Sequence, residues 1–146
     1  MKLFVASDIH GSFTYAKQMI EAYKKEQCDA ILLLGDILYH GPRNDLPEGY
    51  NPKKVFALLN EYKDKITCVR GNCDAEVDQM VLEFSCLSDY QVIKINDKVL
   101  LATHGHIYNK DKLPNESFDI SWRFNSKDTK IFWKKFSKAY SGDWNS

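Results

Sequence analysis

Five residues of metal-ligating type stand at turn-like positions along this 146-residue chain. Asp8 and His10 form an Asp-x-His pair, Asp36 follows Gly35, Asn72 follows Gly71, and His104 precedes Gly105 and His106. Singly, each is ordinary: Gly and Asn tolerate left-handed backbone and mark turns, and a His near an Asp is commonly a surface residue. Together they offer carboxylate, imidazole and amide oxygen, a donor set that suits Mn²⁺, Fe, Zn²⁺ or Ni²⁺ better than Ca²⁺. A carboxylate such as Asp36 can bridge two cations about 3.5–4 Å apart. Such a pair acidifies a shared water and clamps phosphoryl oxygens during in-line displacement. A neutral amide ligand at Asn72 leaves net positive charge to attract a phosphate.

The elements that must position these residues are legible in the apolar pattern. Residues 2–6 form an apolar run that stops at Ser7-Asp8, as a buried parallel strand would. Ser12 is placed to cap a helix running to about Gln27, with Tyr15, Met19, Ile20 and Tyr23 on one face. Residues 30–34 give a second strand, ending at Gly35-Asp36. After a loop rich in Gly, Pro and Asn, Asn51 as cap and Pro52 at the first helical position open a helix to about Lys63. Residues 66–69 make a third strand, and 91–95 with 98–103 a hairpin around Asn96-Asp97. Strand–helix–strand–helix–strand implies right-handed crossovers and a parallel sheet. Ligands of such α/β sheets bind beyond the carboxyl ends of the strands. Asp8 with His10, Asp36, Asn72 and His104 each sit just past one.

In that order and context the motifs SDIHGS (7–12), LGDILYHGPRNDLPEGY (34–50), RGNCDAEVDQM (70–80) and THGHIYN (103–109) resemble the calcineurin-like metallophosphoesterase superfamily, and within it the YfcE-type phosphodiesterases. The resemblance covers residues 1–118. It implies an α/β fold, a β-sandwich flanked by helices in four layers (α/β/β/α), and two divalent metal ions, with Mn placed first and Zn, Fe or Ni as alternatives. Carried over residue by residue, Asp8 and His10 bind one metal, Asn72 and His104 the other, and Asp36 bridges. The implied activity is hydrolysis of a small phosphate ester, foremost a phosphodiester, by a metal-bridging hydroxide. The alternative is a non-catalytic metal-binding or scaffold module on the same fold.

Around the ligands, Asp36, Asn72 and Cys73 are the expected catalytic residues. Cys73 stands where many superfamily members carry a His, a feature the YfcE-type sequences share. A thiol is a weak hydrogen-bond donor, so the substitution favours good leaving groups; a small buried thiol is the plainer reading. Arg43 suits a phosphate oxygen, unless its loop is a structural one held by His40 and Asn44. His106 either supports the site and substrate or is a surface histidine. Arg70 stands to neutralise Asp74 or Glu76.

Twenty Lys and Arg against twenty Asp and Glu leave zero net charge, which argues against a nucleic-acid partner. No apolar run reaches the roughly 20 residues of a membrane span. Four cysteines without a C-x-x-C pair point to reduced thiols in a cytoplasm. No other partner is specified, and a homo-oligomer is compatible with the composition. No histidine follows His106, so the superfamily's final Gly-His-x-His is missing and the second sheet is expected to be incomplete. Residues 119–146 read as a divergent tail. Phe132, Phe136 and Tyr140 are spaced for a short amphipathic helix, and the abrupt change is expected from a shift of reading frame near codon 120, with a truncation or a genuine replacement as the alternatives.

Overall fold

The computed structural model describes residues 2–95, 98–109, 111–114 and 122–124. Strands β1 (Leu3–Ala6), β2 (Ala30–Leu33) and β3 (Ile66–Cys68) form a parallel sheet in that order, joined by helices α1 (Phe13–Lys25) and α2 (Pro52–Asn60). Both expected caps are made: Ser12 Oγ accepts from Tyr15 N–H at 3.2 Å and Asn51 Oδ1 from Lys54 N–H at 3.2 Å. The buried stripe of α1 is Ala16, Met19, Ile20 and Tyr23. Ala16 takes the place expected for Tyr15 because the i, i+3, i+4, i+7 spacing fixes the stripe once Met19, Ile20 and Tyr23 are buried. Helix α2 ends at Asn60 rather than near Lys63, where the chain tightens into a 3₁₀ turn at Lys63–Lys65 that enters β3.

A second sheet contains β4 (Tyr90–Ile95), β5 (Lys98–Thr103) and β6 (Trp122–Phe124) in that order. β4 and β5 pair antiparallel, as the expected hairpin requires; its Asn96-Asp97 turn lies outside the described residues. β6 runs parallel to β5, with Leu100 opposite Trp122, and so carries the sheet past residue 118. The expected helix over 132–140 lies outside the described residues.

Alternation along the parallel strands divides the core in two. Phe4, Ala6, Ile31, Leu33, Ile66 and Cys68 pack toward Ala16, Met19, Ile20, Val55 and Leu59 of the helices. Val5, Leu32, Leu34 and Val69 face the other way, against Leu100 and Ala102 of the second sheet. Helix layer, parallel sheet and second sheet are thus three of the four expected layers, in an α/β fold. The strands read as continuous apolar runs because both faces are covered. Among the described residues no helix is long and apolar enough to cross a membrane.

Candidate metal centre

Beyond the last ladder bonds of β1 and β2 the two exit loops remain zipped together. Asp8 N–H bonds Gly35 O at 3.0 Å, His10 N–H bonds Asp36 O at 2.9 Å, and Gly11 N–H bonds Ile37 O at 2.8 Å. Three residues there hold left-handed backbone without being glycine: Asp8, His10 and Asp36, with φ of 61, 51 and 58°. Each such residue costs on the order of 1–3 kcal/mol. Three of them within one loop pair aim their side chains at one point. Glycine is required at Gly35, whose φ is +95° and whose added Cβ would collide with the Gly71 backbone.

His104, 4 % exposed, reaches the same point from the end of β5. Its Nδ1 lies 2.6 Å from Leu34 O, which joins the two sheets. A carbonyl only accepts, so Nδ1 carries the proton and the neutral ring turns the Nε2 lone pair inward. There Nε2 meets Asn72 Oδ1 at 2.8 Å and Asp36 Oδ2 at 3.4 Å, both acceptors. His10 repeats the arrangement. Its Nδ1 donates to Tyr39 O at 2.9 Å, and its Nε2 faces Asp8 Oδ1 at 3.3 Å and Asp36 Oδ2 at 3.7 Å.

Lone pairs from two imidazoles, two carboxylates and an amide therefore converge, and only positive charge reconciles them. Ligand atoms of Asp8, Asp36 and His104 lie within 4.8 Å of one another, as do those of His10, Asp36 and Cys73. Asp36 is common to both groups. The residues present fit divalent cations: the donor types suit, and each histidine is oriented through its other nitrogen, as metal-bound histidines are.

Without a cation, protons supply the charge. The bond to Asp8 raises the His10 pKa above its ordinary value, against the opposing effect of burial. Burial lowers that of His104, but the Asp36 carboxylate, the Leu34 carbonyl and Asp8 together leave it raised. Burial likewise opposes the charge of Asp36, yet His104, the Cys73 N–H and His10 leave its pKa lowered. Cations bound there would have to displace these protons. A raised histidine pKa stabilises the metal-free fold in full below the unfolded value near ~6.5. That contribution is lost as pH rises through the folded value. The expected result is tighter Mn²⁺ binding and a larger Mn²⁺-induced rise in Tm at about pH 8 than at about pH 6. Calorimetry and thermal melts at both values check it; equal affinities would contradict it.

A cleft of about 510 Å³ opens over this cluster, lined among others by Tyr39, Arg43, Asn72 and Cys73. Arg43 is exposed and, among the described residues, forms no salt bridge. Its loop is internally held: Asn44 Nδ2 donates to His40 O at 2.8 Å, and the His40 ring packs edge-on against Tyr39 and Tyr50. The two readings of that loop are compatible, since the structural pair leaves Arg43 projecting. Cys73 is half-buried, and burial pushes its thiol up to about 11, so the thiol is neutral near pH 7. His106 is exposed and sits edge-on to the His104 ring at 5.3 Å, outside the residues lining the cleft. Arg70 bonds the backbone carbonyl of Asp74 and lies 3.7 Å from Glu76; the Asp74 carboxylate is held otherwise. Sequence spacing passed over that carboxylate's role. It is 4 % exposed and accepts three backbone N–H bonds, from Asp36, Ile37 and Gly71.

Known proteins resemble this chain in sequence and fold. Phosphodiesterase YfcE of Escherichia coli (strain K12) is 46% identical over 114 residues, which cover 78% of this chain and 62% of the relative. A solved structure of YfcE, a phosphoesterase from E. coli, matches with a TM-score of 0.76 at 45% identity, over 80% of this chain and 64% of that one. An archaeal phosphodiesterase structure shares the fold, with a TM-score of 0.53 at 22% identity over 73% of this chain and 60% of that one. The chain therefore spans less than two thirds of the length of the relatives it matches. The family model for calcineurin-like phosphoesterases matches residues 1–145. With that match running over nearly the whole chain, and a relative's structure superposing on most of it, this protein belongs to the calcineurin-like phosphoesterase family.

Proposed function

We propose that the chain is a metal-dependent phosphoesterase of the cytoplasm that hydrolyses phosphodiesters carrying a good leaving group. The observation that carries this is the convergence of Asp8, His10, Asp36, Asn72 and His104 on one point, with acceptor atoms facing acceptor atoms beneath an open cleft. Asp8 and His10 would hold one cation, Asn72 and His104 the other, and Asp36 both, with Mn²⁺ the first choice. Such cations supply neutralisation of phosphoryl charge and acidification of water.

The chain's own residues do the rest. Tyr39 O and Leu34 O fix the tautomers of His10 and His104, so each presents Nε2. Arg43, on the rim, offers a planar fork of donors to a phosphate oxygen. Cys73 bonds Asp36 Oδ1 through its N–H at 2.8 Å, and its neutral thiol faces the cleft. A neutral thiol is a weak hydrogen-bond donor and so a poor proton donor to an alkoxide. General acid catalysis is typically worth ~10²–10⁴-fold, and without it turnover depends on the leaving group. The expected result is faster Mn²⁺-supported cleavage of bis(p-nitrophenyl) phosphate than of an alkyl phosphate monoester. The reverse order contradicts the proposal, and metal uptake without turnover of either ester points to a binding module.

A further inference from the structure

We propose that Asp74 is a positioning residue that sets the bridging carboxylate of Asp36 and the amide of Asn72 in register; this rests on the metal reading above. Its Oδ2 accepts from Asp36 N–H at 2.8 Å and Gly71 N–H at 2.7 Å, and its Oδ1 from Ile37 N–H at 3.0 Å. One carboxylate thereby ties the exit of β2 to the exit of β3. The bonds land on the residues that matter: on Asp36 itself, at φ 58°, and on Gly71, one peptide before Asn72. A return bond closes the connection, because Cys73 N–H holds Asp36 Oδ1 at 2.8 Å. With Oδ1 so engaged, Oδ2 is the oxygen turned toward His10 and His104. Asp74 belongs to the cleft's lining, but both its carboxylate oxygens are taken up by backbone N–H groups, so it acts through Asp36 and Asn72.

Asp74→Asn distinguishes this from general structural support. The amide is isosteric but has one acceptor oxygen, and its NH₂ would confront an N–H. Placed at Oδ2 the oxygen leaves Ile37 N–H without its acceptor; placed at Oδ1 it leaves those of Asp36 and Gly71. The control is Leu59→Ala, fully buried on the inner face of α2, which lowers Tm through a cavity in the helix–sheet core. Mn²⁺ affinity is measured by calorimetry, and amide hydrogen exchange is followed in the metal-free chain. Asp74→Asn is expected to weaken Mn²⁺ binding by ~10–100-fold and to speed exchange at least about tenfold at Ile37 or at Asp36 and Gly71, whichever loses its acceptor. Leu59→Ala should leave both nearly unchanged. Wild-type affinity and exchange in Asp74→Asn, or equal losses in Leu59→Ala, overturn the proposal. If the wild type takes up no Mn²⁺, the metal reading fails, and exchange at Asp36, Ile37 and Gly71 still decides the role of Asp74.

Discussion

Asp36→Asn is expected to weaken cation binding at both positions of the centre, whereas Asn72→Ala weakens mainly one. The substitution is chosen because Asn keeps Oδ1 as acceptor for Cys73 N–H, bonded at 2.8 Å, and keeps the backbone N–H that bonds Asp74. What it removes is the negative charge at Oδ2, which lies 3.7 Å from His10 Nε2 and 3.4 Å from His104 Nε2. Asp36 is 2 % exposed, so solvent cannot replace that charge. Loss of a mere supporting partner of a ligand costs ~10–100-fold in affinity or activity, and a bridging ligand should cost more at each cation. Asn72 offers its oxygen on the His104 side, Oδ1 lying 2.8 Å from Nε2, while its Nδ2 donates to Cys73 Sγ at 3.5 Å, and the side chain is exposed. Calorimetric Mn²⁺ titration of both variants separates the cases. Identical single-site losses in the two would contradict the bridging role.

Gly35→Ala is expected to produce the largest loss of stability. Its φ of +95° is unfavourable for any L side chain, and an added Cβ would run into the backbone of Gly71, which cannot rotate away. Overpacking costs about 1–3 kcal/mol and left-handed backbone about 1–2 kcal/mol more. Set against a total stability of roughly 5–15 kcal/mol, this is a large fraction. A fall in Tm of roughly 10 °C follows for a chain of this size. Metal affinity should fall with it, because the displaced Gly71 carries both Asn72 and the bond to Asp74. A thermal melt within about 2 °C of wild type would show that the Gly35–Gly71 approach is not tight.

Why some of this could be read from the sequence, and some not, follows from the range over which each interaction acts. Apolar runs that stop at Asp8, Asp36 and Asn72 place those residues past parallel strands, because burial on both faces leaves a local pattern. Caps at Ser12 and Asn51 are equally local. His104 joins them only through the second sheet, by a bond to Leu34 O seventy positions away, and the apolar run of β5 foretold its strand-end position. Asp74 left no comparable trace: its partners are backbone amides 37 or 38 positions upstream and three positions back, and backbone amides have no residue signature. Left-handed Asp8, His10 and Asp36 were hidden for a related reason, since aspartate and histidine do not announce that conformation as glycine does. His106, two positions after His104, stands exposed beside the His104 ring.

Direct observation of cations tests the central claim. Crystals of the chain soaked in Mn²⁺ and measured at the manganese absorption edge should show anomalous peaks among Asp8, His10, Asp36, Asn72 and His104. Asp36 should contact each cation seen. A map without a peak there after soaking, from protein that calorimetry also finds unable to bind Mn²⁺, would contradict the account.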